Sequence, residues 1–179
     1  MTRGEKTLVI LTPGFAKDEA DSTCIPTQQN FVTALNKIYP ALNVIILALD
    51  YPYFKRTFQW FNNTVISFNG RNRGGLSKLL LRRRALSTLK KIDASTNIVG
   101  LLSFWYDECT LIGKKFAAAN NLKHICWIFG QDAKKGNKYV RRFPPNAYEL
   151  AALSDFLQDE FEKNYNIKPL YVIPPGINT

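Results

Sequence analysis

A chain of 179 residues with 46% hydrophobic, 13% aromatic and 21% charged side chains has the size and composition of one globular domain, which excludes the disordered, collagen-like and coiled-coil classes. No apolar run approaches the roughly 18 residues of a membrane span, the first residues lack a signal-peptide pattern, and three widely spaced cysteines with one histidine argue against a disulfide framework or a zinc cluster. The formal net charge is +10; free thiols fit a reducing compartment, so a cytoplasmic location is expected.

Short β-branched apolar runs recur along the chain with room for a helix between most of them. Thr7 to Thr12 is the first strand. The loop that follows, Thr12-Pro13-Gly14-Phe15, lacks the dinucleotide and P-loop fingerprints, and Gly14 suits either a turn or the close approach of backbone to a ligand. Pro26 opens a helix with Phe31, Leu35 and Ile38 on one face, and Tyr39-Pro40 ends it. Asn43 to Ala48 is the second strand. The aromatic group Tyr51, Tyr53, Phe54, Phe58, Trp60 and Phe61 after it suits core, acceptor surface or membrane contact, and Val65 to Phe68 is a third strand.

From Gly70 to Ile92 the chain carries Arg71, Arg73, Lys78, Arg82, Arg83, Arg84, Lys90 and Lys91 with no acid. The spacing predicts a helix over Leu76 to Ile92, although leucines and cations interleave around it. The block fits a solvated helix face or an anionic partner, a membrane surface ahead of nucleic acid, for which no reading motif is present. Ile98 to Ser103 is the next strand. Phe104-Trp105-Tyr106-Asp107 after it suits a sugar, whose C–H face stacks on aromatic rings while its hydroxyls find an acceptor, or rim packing.

A helix is predicted over Glu108 to Asn120, then a strand from His124 to Phe129, within which His124 is a packed structural residue rather than a base. Gly130-Gln131-Asp132 follows. A carboxylate at that position can accept hydrogen bonds from sugar hydroxyls or cap the loop, and Lys134, Lys135, Lys138, Arg141 and Arg142 come next. Strands at Glu149 to Ser154 and Leu170 to Ile173 flank a helix from Asp155 to Tyr165. The apolar runs are continuous rather than alternating, as parallel strands covered on both faces require. The expected fold is therefore a three-layer α/β/α Rossmann-like domain with a mostly parallel sheet of six or seven strands, and ligands should collect at the strands' carboxyl ends.

Four stretches carry a resemblance over essentially the whole chain: LTPGF, SFWYDECTLIGKKFA, WIFGQDAKKGNKYVRR, and ELAALSDFLQDEF running into YVIPPGIN. Together they resemble the N-terminal, acceptor-binding domain of a GT-B glycosyltransferase, similar to retaining family 4. Pro174-Pro175-Gly176-Ile177-Asn178 resembles the passage from acceptor to donor domain in that family. Residues 1–173 would then be the acceptor domain and 174–179 the start of a linker to a C-terminal donor domain that this chain lacks. The family's two glutamates eight positions apart have no counterpart here, since Glu5, Glu19, Glu108, Glu149, Glu160 and Glu162 hold no such pair.

The resemblance implies sugar transfer from a nucleotide-sugar co-substrate to a carbohydrate or lipid-linked acceptor, with retention and without metal or other cofactor. This portion alone would be inactive. Asp132 would be the catalytic carboxylate and Gly14 would approach the donor phosphate. Gln131, Trp105, Tyr106, Asp107, Asn137 and Lys138 would line the acceptor side, and the basic block would hold the protein at an anionic membrane. The rival reading is a complete, non-catalytic Rossmann- or flavodoxin-like module for an anionic partner.

Overall fold

A computed structural model describes residues 4–176 of the chain. In its two central strands, β1 (Lys6–Gly14) and β2 (Asn43–Tyr51), successive side chains enter opposite cores. Val9, Leu11, Ile45, Leu47 and Leu49 lie in one hydrophobic cluster, whereas Ile10, Val44, Ile46 and Ala48 lie in another. A strand buried on both sides needs cover on both sides. α1 (Pro26–Ile38) covers one face through Phe31, Val32 and Leu35. α2 (Gly75–Ser95) and α3 (Glu108–Asn120) cover the other. Ile38, expected on the packed face of α1, is 67% exposed at the helix end.

The remaining strands are β3 (Arg56–Trp60), β4 (Asn63–Ser67), β5 (Asn97–Phe104), β6 (His124–Ile128), β7 (Leu150–Ala152) and β8 (Tyr171–Val172). The sheet order is β3-β4-β2-β1-β5-β6-β7-β8. Every pairing is parallel except β3 with β4. The domain is thus the Rossmann-like, mostly parallel α/β/α fold that the run pattern requires, with eight strands instead of six or seven. The added strand is β3, drawn from the aromatic segment and laid antiparallel at the edge, where its exposed Arg56, Thr57 and Gln59 discourage further pairing. Two helices complete the fold: α4 (Lys138–Arg142) and α5 (Asp155–Tyr165), which close a third cluster around Tyr106, Ile128, Leu150 and Phe161. Residues 177–179, the end of the expected linker, lie outside the described residues.

The interleaved pattern of α2 has a simple resolution. Leu81, Ala85, Leu89 and Ile92, spaced four, four and three apart, form its buried stripe. One turn to the side, Lys78 and Arg82 both reach Glu108 at the start of α3, Lys78 at 3.3 Å and Arg82 through both carboxylate oxygens. Tyr139 of α4 donates its hydroxyl to the same carboxylate at 2.9 Å. Burial works against the charge of Glu108, yet Arg82, Tyr139 and Lys78 hold its carboxyl below the usual value. On the opposite side, α3 packs so closely that a Cβ on Gly113 would lie 2.7 Å from His124 Nε2 and 3.0 Å from Ser103 Oγ. His124 and Ser103 bond each other at 2.8 Å, and burial draws the imidazole down to about 4, consistent with a packed, neutral histidine.

Glu108→Gln removes the charge that three partners converge on while keeping its shape. Lys78 and Arg82 retain some solvent, so the loss should fall between exposed pairs (~1 kcal/mol) and buried ones (~3–5 kcal/mol), at about 2 kcal/mol. Urea denaturation should show this as a lower midpoint with unchanged slope.

Candidate functional site at the carboxyl edge of the sheet

The chain runs outward from β1 to β2 and on to the edge strand β3, turns back into β4 beside β2, then crosses to β5 on the other side of β1 and continues that way. The reversal lies between β1 and β5, and the crevice that such a switch point opens is bounded by the loops after those strands. Gly14 stands on one side of it. Trp105, Tyr106 and Asp107 stand on the other, with Gln131 one strand further on, after β6.

Gly14 is buried, and the peptide that joins it to Phe15 is fixed through both its carbonyl and its N–H. The Thr12 hydroxyl reaches the Gly14 carbonyl at 2.7 Å and the Gln28 side-chain oxygen at 3.0 Å, and Phe15 N–H donates to Tyr51 O at 3.2 Å. The loop beyond is organised by Asp21, which sequence reasoning missed. Its carboxylate accepts from the amides of Lys17 (3.1 Å), Thr23 (3.3 Å) and Cys24 (3.2 Å), and from the hydroxyls of Thr23 (3.1 Å) and Tyr51 (3.2 Å). Burial opposes that charge, but the amides and hydroxyls prevail and hold the carboxyl below its ordinary value. The signal was present in Asp21-Ser22-Thr23, a composition that favours side-chain-closed turns.

The other wall is built around Asp132, and its geometry differs from the expected ligand-facing carboxylate. Asp132 is 5% exposed. Its Oδ2 accepts from Tyr106 N at 2.9 Å, its Oδ1 from Gly130 N at 2.8 Å, and Phe129 N is shared at 3.1 and 3.3 Å. Gly130 has φ +136°, a conformation closed to other residues, and this turn folds the carboxylate back onto the strand it follows. Burial raises the Asp132 carboxyl above its usual value, against the pull of those amides. Asn137 joins the same network by donating to Tyr106 O at 2.8 Å and Asp132 O at 3.1 Å. Tyr106 is 2% exposed and its hydroxyl donates to Phe143 O. Asp132, Tyr106 and Asn137 are therefore brought together, as loop ties rather than as open side chains.

What stays open at this edge is a different subset. Gln131 and Lys138 are exposed, and Trp105 is half-buried, its ring tilted on Phe129 at 4.8 Å between centroids. Trp105 has φ 66°, a left-handed conformation that a bulky residue adopts only where its surroundings impose it. Here Trp105 N–H donates to Trp127 O at 3.0 Å and the Thr110 hydroxyl donates to Trp105 O at 2.9 Å. Asp107 caps α3 by accepting from Cys109 N at 2.8 Å. Its carboxyl is pushed up to about 7, chiefly by burial and further by Asp132 and Glu108, with the Cys109 amide opposing. A carboxyl poised there can exchange a proton near neutral pH. Among the described residues no group of three or more His, Cys, Asp or Glu side chains is gathered to hold a metal ion, and no helix is long and apolar enough to cross a membrane.

The basic block divides in two. Lys78 and Arg82 are held by Glu108. Arg71 bonds Asn69 Oδ1 at 2.8 Å and lies over the Tyr53 ring, while Arg73, Arg83, Arg84, Lys90 and Lys91 are exposed.

Asp132→Asn turns an NH2 group toward amide donors and leaves at least one of them unmet. A loss of about 1–3 kcal/mol is expected, seen as a melting temperature lower by roughly 3–9 °C for a chain of this length.

Comparison with known proteins adds a likeness of fold. No family model matches the chain, and no curated protein matches it. Among solved structures, a ugt transferase from Siraitia grosvenorii, determined in complex with UDP, superposes with a TM-score of 0.56 at 12% identity. The match covers 95% of this chain and 48% of that one, so the chain spans about half the length of the transferase it matches. The chain has a glycosyltransferase-like, Rossmann-type fold.

Proposed function

We propose that this chain forms one half of a two-domain glycosyltransferase, the half that binds the acceptor. The observation that carries the reading is the switch point between β1 and β5, whose carboxyl-end loops carry Gly14 and Trp105–Asp107, in a fold shared with about half of a transferase that holds UDP. In this reading a second domain, following a linker that begins near Pro174, supplies most of the contacts to the nucleotide-sugar donor. The Gly14 loop lies toward the donor phosphate. Trp105 and Gln131 receive a carbohydrate or lipid-linked acceptor, Lys138 extends that side, and Asp107 is placed to exchange a proton. Asp132, Tyr106 and Asn137 act as positioning residues that hold the wall in shape. The motif resemblance favours family 4, retention of configuration and chemistry without a metal, and the free thiols favour a cytoplasmic setting.

One wall of a two-walled cleft lacks most of the convergent contacts. Residues 1–179 alone should give no measurable transfer and bind nucleotide sugars weakly, with Kd of about 1 mM or above by calorimetry, whereas the two-domain protein transfers sugar. Robust turnover by residues 1–179 would overturn the half-enzyme reading. Absence of transfer by the two-domain protein would return the chain to a non-catalytic binding module.

A specific observation also supports an anionic membrane surface as partner. On α2, Leu76, Leu79 and Leu80 are 80%, 42% and 48% exposed and share a face with Arg83 and Arg84 by helical spacing. Apolar anchors beside free cations suit an interfacial helix, and each cation contributes about 1 kcal/mol near anionic lipid. Cosedimentation should show binding to phosphatidylserine-containing vesicles that falls with added salt. Equal binding to neutral vesicles, or none to anionic ones, would restore the solvated face.

A further inference from the structure

A cavity of about 530 Å³ opens at the amino edge of the sheet, where β6 and β8 begin and the chain turns into β7. Its volume lies within the range of small-molecule sites, about 300–1,000 Å³. β6 alone, at ~3.3 Å per residue, separates it from the carboxyl edge by about 16 Å, so it is distinct from the switch-point crevice. Leu122 and Ile125 give it apolar surface, and Tyr148 and Tyr171, 61% and 43% exposed, stand beside them.

One buried side chain in its lining has half of its hydrogen bonding unmet. His124, the one histidine of the chain, is 8% exposed. Its Nε2–Cδ2 edge is turned to Gly113, where a Cβ would lie 2.7 Å from Nε2 and 2.9 Å from Cδ2, and Nε2 bonds Ser103 Oγ at 2.8 Å. The opposite edge carries Nδ1, which has no hydrogen-bond partner among the described residues. Nor is it sealed: the sealed, unpartnered side-chain atoms among the described residues are Gln28 Nε2 and Trp60 Nε1. Nδ1 therefore opens to the cavity.

Ser103 decides what Nδ1 presents. Its hydroxyl is fully buried and meets only His124 among the described residues. Donating to Nε2 satisfies its hydrogen, whereas accepting would leave that hydrogen unmet, at a cost of about 1–3 kcal/mol. Nε2 thus accepts. The ring is neutral, drawn down to about 4 by burial, so its single proton sits on Nδ1 and points a donor at the cavity.

An acceptor shares the lining. Glu149 Oε2 receives Lys114 Nζ at 2.8 Å and Asn146 N at 2.8 Å, which leaves Oε1 without a partner among the described residues. Glu149 and Lys114 both line the cavity and act on the His124 ring in opposite directions. Their charges offset each other, and a carboxylate ligand would set its own charge against Oε1. A neutral molecule that presents both a carbonyl and an N–H meets no such conflict. The tyrosine rings suit a flat one.

We propose that this cavity binds a neutral, flat amide or lactam, whose carbonyl accepts from His124 Nδ1–H and whose N–H donates to Glu149 Oε1. The site stands apart from sugar transfer, so failure of either leaves the other in place. NMR of the ¹⁵N-labelled chain follows its single imidazole, and the ring ¹⁵N shifts at neutral pH should place the proton on Nδ1. The probes are 1-methyluracil, a lactam, and nicotinamide, an open amide. At least one should move the His124 ring signals saturably with millimolar Kd. Its methylated counterpart without the N–H, 1,3-dimethyluracil or N,N-dimethylnicotinamide, should bind at least ~10-fold more weakly. Ala118→Phe, at an exposed helix position on the cavity wall, should weaken binding as much, while the Trp127 indole, bonded to Ile173 O at 3.1 Å, reports that the variant is folded. The proposal is overturned if neither probe moves the ring up to about 50 mM, or if the methylated compound binds as well. A proton on Nε2, or binding intact in Ala118→Phe, overturns it equally.

Discussion

Burial of β1 and β2 on both faces is the constraint from which the rest of the molecule follows. Val9 and Ile10 are both fully buried, as are Ile46 and Leu47, yet in each pair the two side chains point to opposite sides. Helices must therefore lie on each side, and the connections between parallel strands must cross over the sheet. Once they do, every loop that leaves a parallel strand emerges at one edge. The crevice between the β1 and β5 loops results from that geometry, before any residue in it is chosen.

The residues that were chosen divide the labour unexpectedly. Of three buried carboxylates, Asp21, Glu108 and Asp132, the sequence singled out only Asp132 as a candidate for chemistry. Each instead holds the scaffold together: Asp21 gathers the loop after β1, Asp132 joins the loops after β5 and β6, and Glu108 ties α2 and α4 to α3. A loop that carries polar backbone groups near a sheet edge must have them met, and a carboxylate can accept several amides at once. The half-buried Trp105, the exposed Gln131 and the proton-labile Asp107 rest on this internal frame.

The elements were legible wherever burial set the pattern. Continuous runs such as VIIL and ICWI disclosed parallel strands, and Pro26, Ser154 and Asp155 marked helix starts that the structure keeps within a residue. β3 was not legible because Arg56–Trp60 alternates polar and apolar residues at an open edge, where packing places few demands on sequence. For the site, the sequence placed its candidates on loops at the carboxyl edge of the sheet and misjudged the direction of the Asp132 side chain. Position after a buried strand placed Asp132 at the carboxyl edge, but only Gly130, through its positive φ, turns that carboxylate inward. The pairing of Lys78 and Arg82 with Glu108 joins residues 26 or more positions apart, beyond the reach of local periodicity.

That pairing also bears on how the exposed face of α2 relates to the crevice. α2 begins after β4 and ends before β5, so it runs from the carboxyl edge of the sheet toward the amino edge, about 31 Å for its 21 residues. Its three exposed leucines lie in the first two turns, at the crevice end, and Lys90 and Lys91 lie toward the other end, one turn before the last. Because Glu108 is at the start of α3, at the same edge, the Lys78 and Arg82 contacts fix the rotation of α2 about its axis. They thereby turn Leu76, Leu79, Leu80, Arg83 and Arg84 outward together. In the membrane reading, an acceptor anchored in lipid would meet the protein at the end of α2 nearest Gly14 and Trp105. The ion pair would then set the orientation of the crevice to the bilayer without touching either ligand or lipid.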